Sequence, residues 1–471
     1  MIDRDIRRIL VVGDGIVAWC AAAAIRRHLP VIAVDVLAQP VAPDALADRV
    51  AATLPSLVGF HEDLRLSERD TLGAAGSSRR AGNLMTDWSG IGERFVHAYG
   101  PVGEPVDGSN FHQQWLRSAD AAPAAFDSFS ENGGAALAGR IPEDSEHGLT
   151  LTPGRYRAMI RAFALHLGAR ERSGAAAATE TDAEGRLEAV RTTTGDRLEA
   201  DLFIDAAGPA GLPGTASAAD WEDWSAWLPC DRVAIASAPA SDPLPLDRVE
   251  GLPWGWGWSS RSPFEQSRGV AWSSRHASDR EALAWLGAPD AAVVPLRQGR
   301  RRSPWTGNLL AIGDAAVAVE PLEWTNLHLA LSLIDRLITM LPGSACAPVE
   351  VAEFNRQSAM EAARVRDFLG LHYAVSRRPE PFWRETRERP LPASLQHSLD
   401  QFRSRGRLPF YEEETFARDS WLAILIGCGE RPRRIDPLAT AVPRERALAA
   451  LRRQHQARLA RLPLSAMSPA Q

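Results

Sequence analysis

The first residues able to do chemistry form a glycine-rich turn. Gly13-Asp14-Gly15-Ile16-Val17-Ala18 follows the β-branched run Ile9-Leu10-Val11-Val12 and opens residues 18–27, which read as a helix. Each small residue has a physical use. Gly13 permits a tight turn, Gly15 lets the backbone approach a pyrophosphate, and Ala18 allows close helix–strand packing. The helix start near Val17 then faces the phosphates. A second run, Val31-Ile32-Ala33-Val34-Asp35, ends in an acid twenty residues after Gly15, placed to accept from a ribose hydroxyl. The bland alternative, an accidental glycine turn, does not explain strand, turn, helix and acid in this order. The motif leaves FAD and NAD both open.

Two later turns tilt the choice to FAD. Asp201 to Gly208 reads as a strand ending in small residues, after a hairpin in DAEGRLEAVRTTTGDRLEA. Asn308 to Ala316 is a further strand, followed by Gly313-Asp314 and a helix start. An acid there can hold ribityl hydroxyls, and the helix start can face a flavin pyrimidine ring. The alternative for Asp314 is a plain helix N-cap.

Composition narrows the class. The chain has 471 residues and a formal net charge of −6, so no basic field invites nucleic acid. The sequence contains no lysine, so every basic side chain apart from histidine is arginine. The four cysteines form no CxxC pair, which suggests neither a metal site nor a disulfide framework. The N-terminus shows no leader pattern and no long apolar run occurs, so a cytoplasmic protein is expected, with membrane contact the lesser alternative.

At this point the chain resembles the flavin-dependent tryptophan halogenases. The resemblance rests on TDWSGIGERFVHAYG (86–100), WLPCDR (227–232), RRSPWTGNLLAIGDAAVAVEPLEWTNLHLAL (301–331), RDFLGLHY (366–373), PFWRE (381–385) and TFARDSW (415–421). It implies an α/β fold with a Rossmann-like FAD-binding domain of the glutathione-reductase and hydroxylase type, an interleaved substrate sheet and a helical C-terminal region. It also implies reduced FAD supplied by a separate flavin reductase, and oxygen. Chloride or bromide becomes hypohalous acid, which travels a tunnel to an aromatic or indole-containing substrate, free or peptide-borne. In that family a lysine holds or captures the acid and a glutamate assists.

Carried over by position, the glutamate falls on Glu323 in Glu320-Pro321-Leu322-Glu323, and the halide site on Thr325 and Asn326. Asn326 adds a side chain where the family has glycine. A dipole-facing carboxylate at a helix start is the simpler reading of Glu323. The lysine position, eight before Trp88, falls on Arg80. Arginine keeps the charge but cannot readily lose a proton, so capture as a haloamine is excluded while a hydrogen-bonded relay is not. The two tryptophans that wall the flavin fall on Trp256 and Trp258, although Trp254, Trp256 and Trp258 also fit one face of a strand. Asp314 departs from the halogenases toward the hydroxylases.

On the substrate side stand His97, a candidate base, and Tyr99, with Phe382, Trp383, Phe416 and Trp421 as stacking candidates or ordinary core. The expected organisation is an FAD domain from residues 1–45, 151–215 and 301–345, a substrate and tunnel region from 46–150 and 216–300, and helices over 346–471. The arginine-rich stretch at 443–462 reads as an amphipathic helix docked on the protein or on a partner subunit, which leaves a homodimer open. The last residues, LSAMSPAQ, are expected to be disordered. Arg80, Asn326 and Asp314 place oxygenation of an aromatic substrate ahead of halogenation through Arg80. A non-catalytic flavin-binding partner is the third reading.

Overall fold

The computed structural model describes residues 5–215, 218–239 and 244–461; LSAMSPAQ and part of the Pro/Ala/Ser stretch at 236–246 lie outside them. Strand β1 (Arg8–Val12) is buried from Ile9 onward and runs parallel to Leu202–Asp205 on one side and to β2 (Ala33–Leu37) on the other. Helix α1 (Ile16–His28) returns between them. Its residues Ile16 to Ile25 are all buried, because the alanine run presents no bulk on any face. The sheet is completed by Arg170–Arg172 outside β2, and by Leu309–Ala311 and Trp305–Thr306 outside Leu202–Asp205. The hairpin expected in DAEGRLEAVRTTTGDRLEA is present as Leu187–Thr192 paired with Arg197–Glu199, and Ala176–Thr181 adds a third strand on the other side.

One boundary differs from the sequence reading. β2 continues through Val36 and Leu37, both buried, so Asp35 lies mid-strand and not at the strand's end. The carbonyl of Leu37 accepts from the Gly13 amide at 3.0 Å, which locks the glycine turn against the strand end. Gly13 has φ +143°, and a Cβ there would stand 2.6 Å from the Ala206 carbonyl oxygen. Gly13→Ala is therefore expected to cost about 1–3 kcal/mol of stability, read as a lower denaturation midpoint in guanidinium.

A seven-stranded sheet carries the second half of the molecule. Four of its strands run in the order β6 (Gly255–Arg261), β5 (Asp247–Leu252), β3 (Gly82–Thr86) and, at the edge, β4 (Arg94–Ala98). Asp247, Asn83 and His97 are direct partners across β5, β3 and β4. Cross-strand partners share a face, so this register alone brings three polar side chains into one row. Helix α2 (Thr325–Thr339) begins beneath the row, and the long α3 (Pro348–Ala374) crosses it. The remaining helices include Pro381–Arg387, Ala393–Arg405, Arg418–Gly427 and Arg444–Arg461. Among the described residues no helix is long and apolar enough to cross a membrane.

Candidate active site

Glu323 occupies a short turn ahead of α2 and is 1% exposed. It and Trp324 both adopt left-handed backbone, with φ of 59° and 62°. Two successive non-glycine residues there cost about 1–3 kcal/mol each, and such strain persists only where the surroundings over-determine it. Here they do. Asn83 Nδ2 donates to Glu323 Oε2 at 2.8 Å, while His97 Nδ1 and His372 Nε2 each lie 3.0 Å from the carboxylate. His372 is oriented by its Nδ1, which donates to the Phe368 carbonyl at 2.8 Å. Burial alone would raise the Glu323 carboxyl, but the two imidazoles outweigh it and hold the group well below the usual carboxylate range.

Arg80 is equally buried and every nitrogen of its guanidinium is engaged. Nε pairs with Asp247 at 2.5 Å, Nη1 donates to the Thr53 carbonyl at 2.9 Å and to the Tyr99 hydroxyl, and Nη2 donates to the Gly82 carbonyl at 3.1 Å and Asn83 Oδ1 at 2.7 Å. Burial favours the neutral form, yet Asp247, Tyr99 and Glu323 together raise its pKa, so residue 80 stays a cation. Asn83 thus bridges Arg80 and Glu323. Trp324 joins the bridge, its Nε1 donating to Asn83 Oδ1 at 2.9 Å.

The glycine turn has the shape a flavin diphosphate needs. Gly15 caps α1 without any side-chain cap of its own, so the first amides look outward to an anion from elsewhere. A Cβ on Gly15 would stand 2.2 Å from the Asp48 carboxylate, which accepts from the Val17 amide at 2.8 Å. Gly13, Gly15, Val17 and Ala18 are therefore the residues that would hold the diphosphate, and the acceptor already drawn to this spot is an anion. Asp35 instead pairs with Arg170 and Arg172 at 3.0 and 2.9 Å. Asp314 is not a helix N-cap. It sits on a single 3₁₀ turn, and its Oδ2 accepts from the Ala47 amide at 2.8 Å.

The comparisons with known proteins agree with one another. Residues 8–444 match the family described as Tryptophan halogenase. This chain belongs to the tryptophan halogenase family. It is 27% identical to tryptophan 7-halogenase RebH of Lentzea aerocolonigenes over 85% of this chain and 82% of that protein. Among solved structures it is 32% identical to BrvH, a flavin-dependent halogenase from Brevundimonas sp. BAL3, with a TM-score of 0.91 and 98% of each chain covered. Xcc4156, a flavin-dependent halogenase from Xanthomonas campestris, is 29% identical with a TM-score of 0.91, covering 98% of this chain and 97% of that one.

For a tryptophan halogenase family member, the aromatic wall is continuous. Trp256 and Trp258 lie 5.1 Å apart, Trp258 meets Trp324 at 6.0 Å, and Trp88 meets Trp256 at 6.1 Å. Trp254 leaves this row and packs in a separate cluster with Trp272 and Leu286. Two of the expected stacking residues belong to the core. Trp383 sits edge-on to Trp88 at 5.0 Å with its Nε1 on the Leu252 carbonyl, and Phe382 packs on Tyr373. Phe416 and Trp421 are buried too, yet they also line a cavity of about 380 Å³ with Arg364, Tyr411 and Glu414. Phe416 stacks on Phe368 at 3.8 Å. Phe368 in turn touches His97, with ring centres 5.9 Å apart.

The Tyr99 hydroxyl accepts from Arg80 and donates to the Thr53 carbonyl at 3.3 Å, which leaves its ring for other contacts. Asn326 Nδ2 donates back to the Val319 carbonyl at 2.8 Å, which fixes the amide so that its unpartnered atom is an acceptor. Thr325 Oγ1 and His97 Nε2 are likewise buried without a partner. Sequence reasoning missed Asn83, Asp247, His372 and Asp48. His372 stood in the quoted RDFLGLHY match; Asn83 and Asp247 become visible only through strand register.

Proposed function

We propose that this chain oxidatively modifies an aromatic, indole-like substrate using reduced FAD and oxygen, with Glu323 as the working carboxylate. The observation that carries the reading is Glu323 held between His97 and His372 beside a continuous tryptophan wall. When bound, reduced FAD supplies the electrons that activate oxygen. This chain's residues do the rest. Gly13, Gly15 and Val17 receive the diphosphate, and Trp256 and Trp258 exclude water. Glu323, kept ionised, can accept a proton from a substrate ring carbon or polarise an electrophile, with Asn83, His97 and His372 holding it in place.

The relatives favour halogen as the atom transferred, since those named are halogenases, and this weighs halogenation above the oxygenation preferred from sequence. Oxygen transfer is the second reading. It is favoured by the Arg80 guanidinium, whose Nη1 and Nη2 are spent on Thr53, Tyr99, Gly82 and Asn83 and whose Nε faces Asp247, and by the acceptor atom of Asn326, which disfavours a neighbouring halide. One experiment separates them. The full chain is supplied with FAD, an enzymatic flavin reductase, NADH and a panel of indoles, with and without bromide, and products are weighed by mass spectrometry. A bromide-dependent product carrying bromine establishes halogenation. A product heavier by one oxygen, formed equally without bromide, establishes oxygenation. A chain that binds FAD yet modifies nothing in the panel speaks for the non-catalytic reading.

A further inference from the structure

Taking the flavin reading as its base, we propose that Asp48 is a built-in stand-in for the flavin diphosphate, holding the anion position at the start of α1 until flavin displaces it. Residue 48 thereby sets how tightly flavin is held and makes the flavin readily exchanged.

The geometry is specific. Asp48 is 31 residues from Val17 in sequence, so its bond to the Val17 amide is no local cap. Its carboxylate carbon and both oxygens would lie within 2.3 Å of a Cβ on Gly15, in the space the missing side chain opens for a phosphate. The segment that delivers it is latched separately. Ala47 donates to Asp314, and Arg49 Nε donates to the Ala42 carbonyl at 3.1 Å. Asp314 therefore holds the latch shut with the same carboxylate that the flavin reading gives to ribityl hydroxyls. A carboxylate and a diphosphate cannot share one helix start, because like charges at contact repel strongly and the amides are few.

The titratable and charged groups around Asp48 are Asp314 and the Cys20 thiol on one side, and Arg49 and Arg157 on the basic side, with Asp44 adding its charge at Asp314. Arg157 is committed to Asp14 at 2.5 Å. Burial, only partly offset by the Val17 amide, lifts the Asp48 carboxyl to about 6. The group is thus held in place at a cost, as a displaceable occupant should be.

The test is flavin binding by the full chain, followed by fluorescence quenching for FAD and riboflavin and by calorimetry for inorganic pyrophosphate. Asp48→Ala should tighten FAD and pyrophosphate by about tenfold, a difference of about 1.4 kcal/mol, while leaving riboflavin unchanged. Its flavin-free form should melt lower than wild type, because the α1 amides lose their acceptor, and FAD should raise its melting temperature more. Asp48→Asn keeps an acceptor without the charge. It should also tighten FAD with little change in flavin-free melting, which covers the case where the alanine variant folds poorly. Glu62→Ala, exposed on the next helix, is the control. Unchanged or weaker FAD affinity in the folded variants overturns the proposal and leaves the flavin reading standing, and so does equal tightening of riboflavin. Failure of wild type and both variants to bind either FAD or pyrophosphate overturns both.

Discussion

Glu323→Gln is expected to lower product formation by about 10²–10⁴-fold, the usual contribution of a positioned acid–base group, with FAD affinity nearly unchanged. Glutamine has the same shape, so the strained turn should survive. What changes is hydrogen-bond polarity. Glu323 now accepts from Asn83 Nδ2 and faces His97 Nδ1 and His372 Nε2 with a full negative charge. A glutamine offers one acceptor and an NH₂ group, so at least one of these three partners meets a donor. The proton acceptor itself is also gone. Because its pKa lies well below the usual carboxylate range, wild-type Glu323 is fully ionised throughout the neutral range, and activity should not fall from its protonation until strongly acidic pH. The sign follows from the direction: a depressed carboxyl keeps its charge above its pKa and loses it only below. Single-turnover product yield against pH, for wild type and variant, is the measurement. A glutamine variant with near-normal turnover would remove Glu323 from the chemistry and leave the imidazoles as its only candidates.

How much of this was legible in the sequence depends on the distance over which each feature is specified. The glycine turn was, because strand, turn and helix are local and each glycine answers a local steric demand. So was the tryptophan pair, since period two places Trp256 and Trp258 on one face wherever the strand lies. Glu323 could be placed by motif but not understood. Its partners come from residues 83, 97 and 372, and no local pattern says that β3 and β4 pair in the register that puts Asn83 opposite His97. The sequence reading took Phe382 and Trp383 with Phe416 and Trp421 as one group. The structure separates them, because Pro381–Arg387 packs behind Trp88 while Arg418–Gly427 borders the cavity. The helix expected directly after Asp314 is absent, because a Gly-Asp turn before an apolar run resembles a helix start. Here the run is the short strand Val317–Ala318, and α2 begins only at Thr325.

Arg80→Met is expected to destabilise the protein by about 3–5 kcal/mol, the cost of leaving one member of a buried ion pair uncompensated. Asp247 is 2% exposed and its remaining neighbours include Glu323, so removing the guanidinium strands a carboxylate among other acids. The carbonyls of Thr53 and Gly82 lose their donors in the same step, and Tyr99 loses its partner. Asp247→Leu alone should cost a comparable amount by stranding the cation. The double variant Arg80→Met with Asp247→Leu should recover most of the loss, since both charges then vanish and two apolar side chains of similar size replace them. Arg80→Lys belongs in the same series. It keeps the charge, but an ammonium has three donors where the guanidinium serves five acceptors, and its loss should fall between wild type and methionine. Urea unfolding of the four variants gives the coupling energy directly. A coupling near zero would mean that Asp247 does not hold Arg80, and the Nε edge of the guanidinium would then be open to a small electrophile, as the halogenation reading requires. A large coupling means that the position aligned with the family lysine serves here to fasten the chain just ahead of β3 to β5 and to steady Asn83 against Glu323. The chemistry must then be organised from the glutamate side of the bridge.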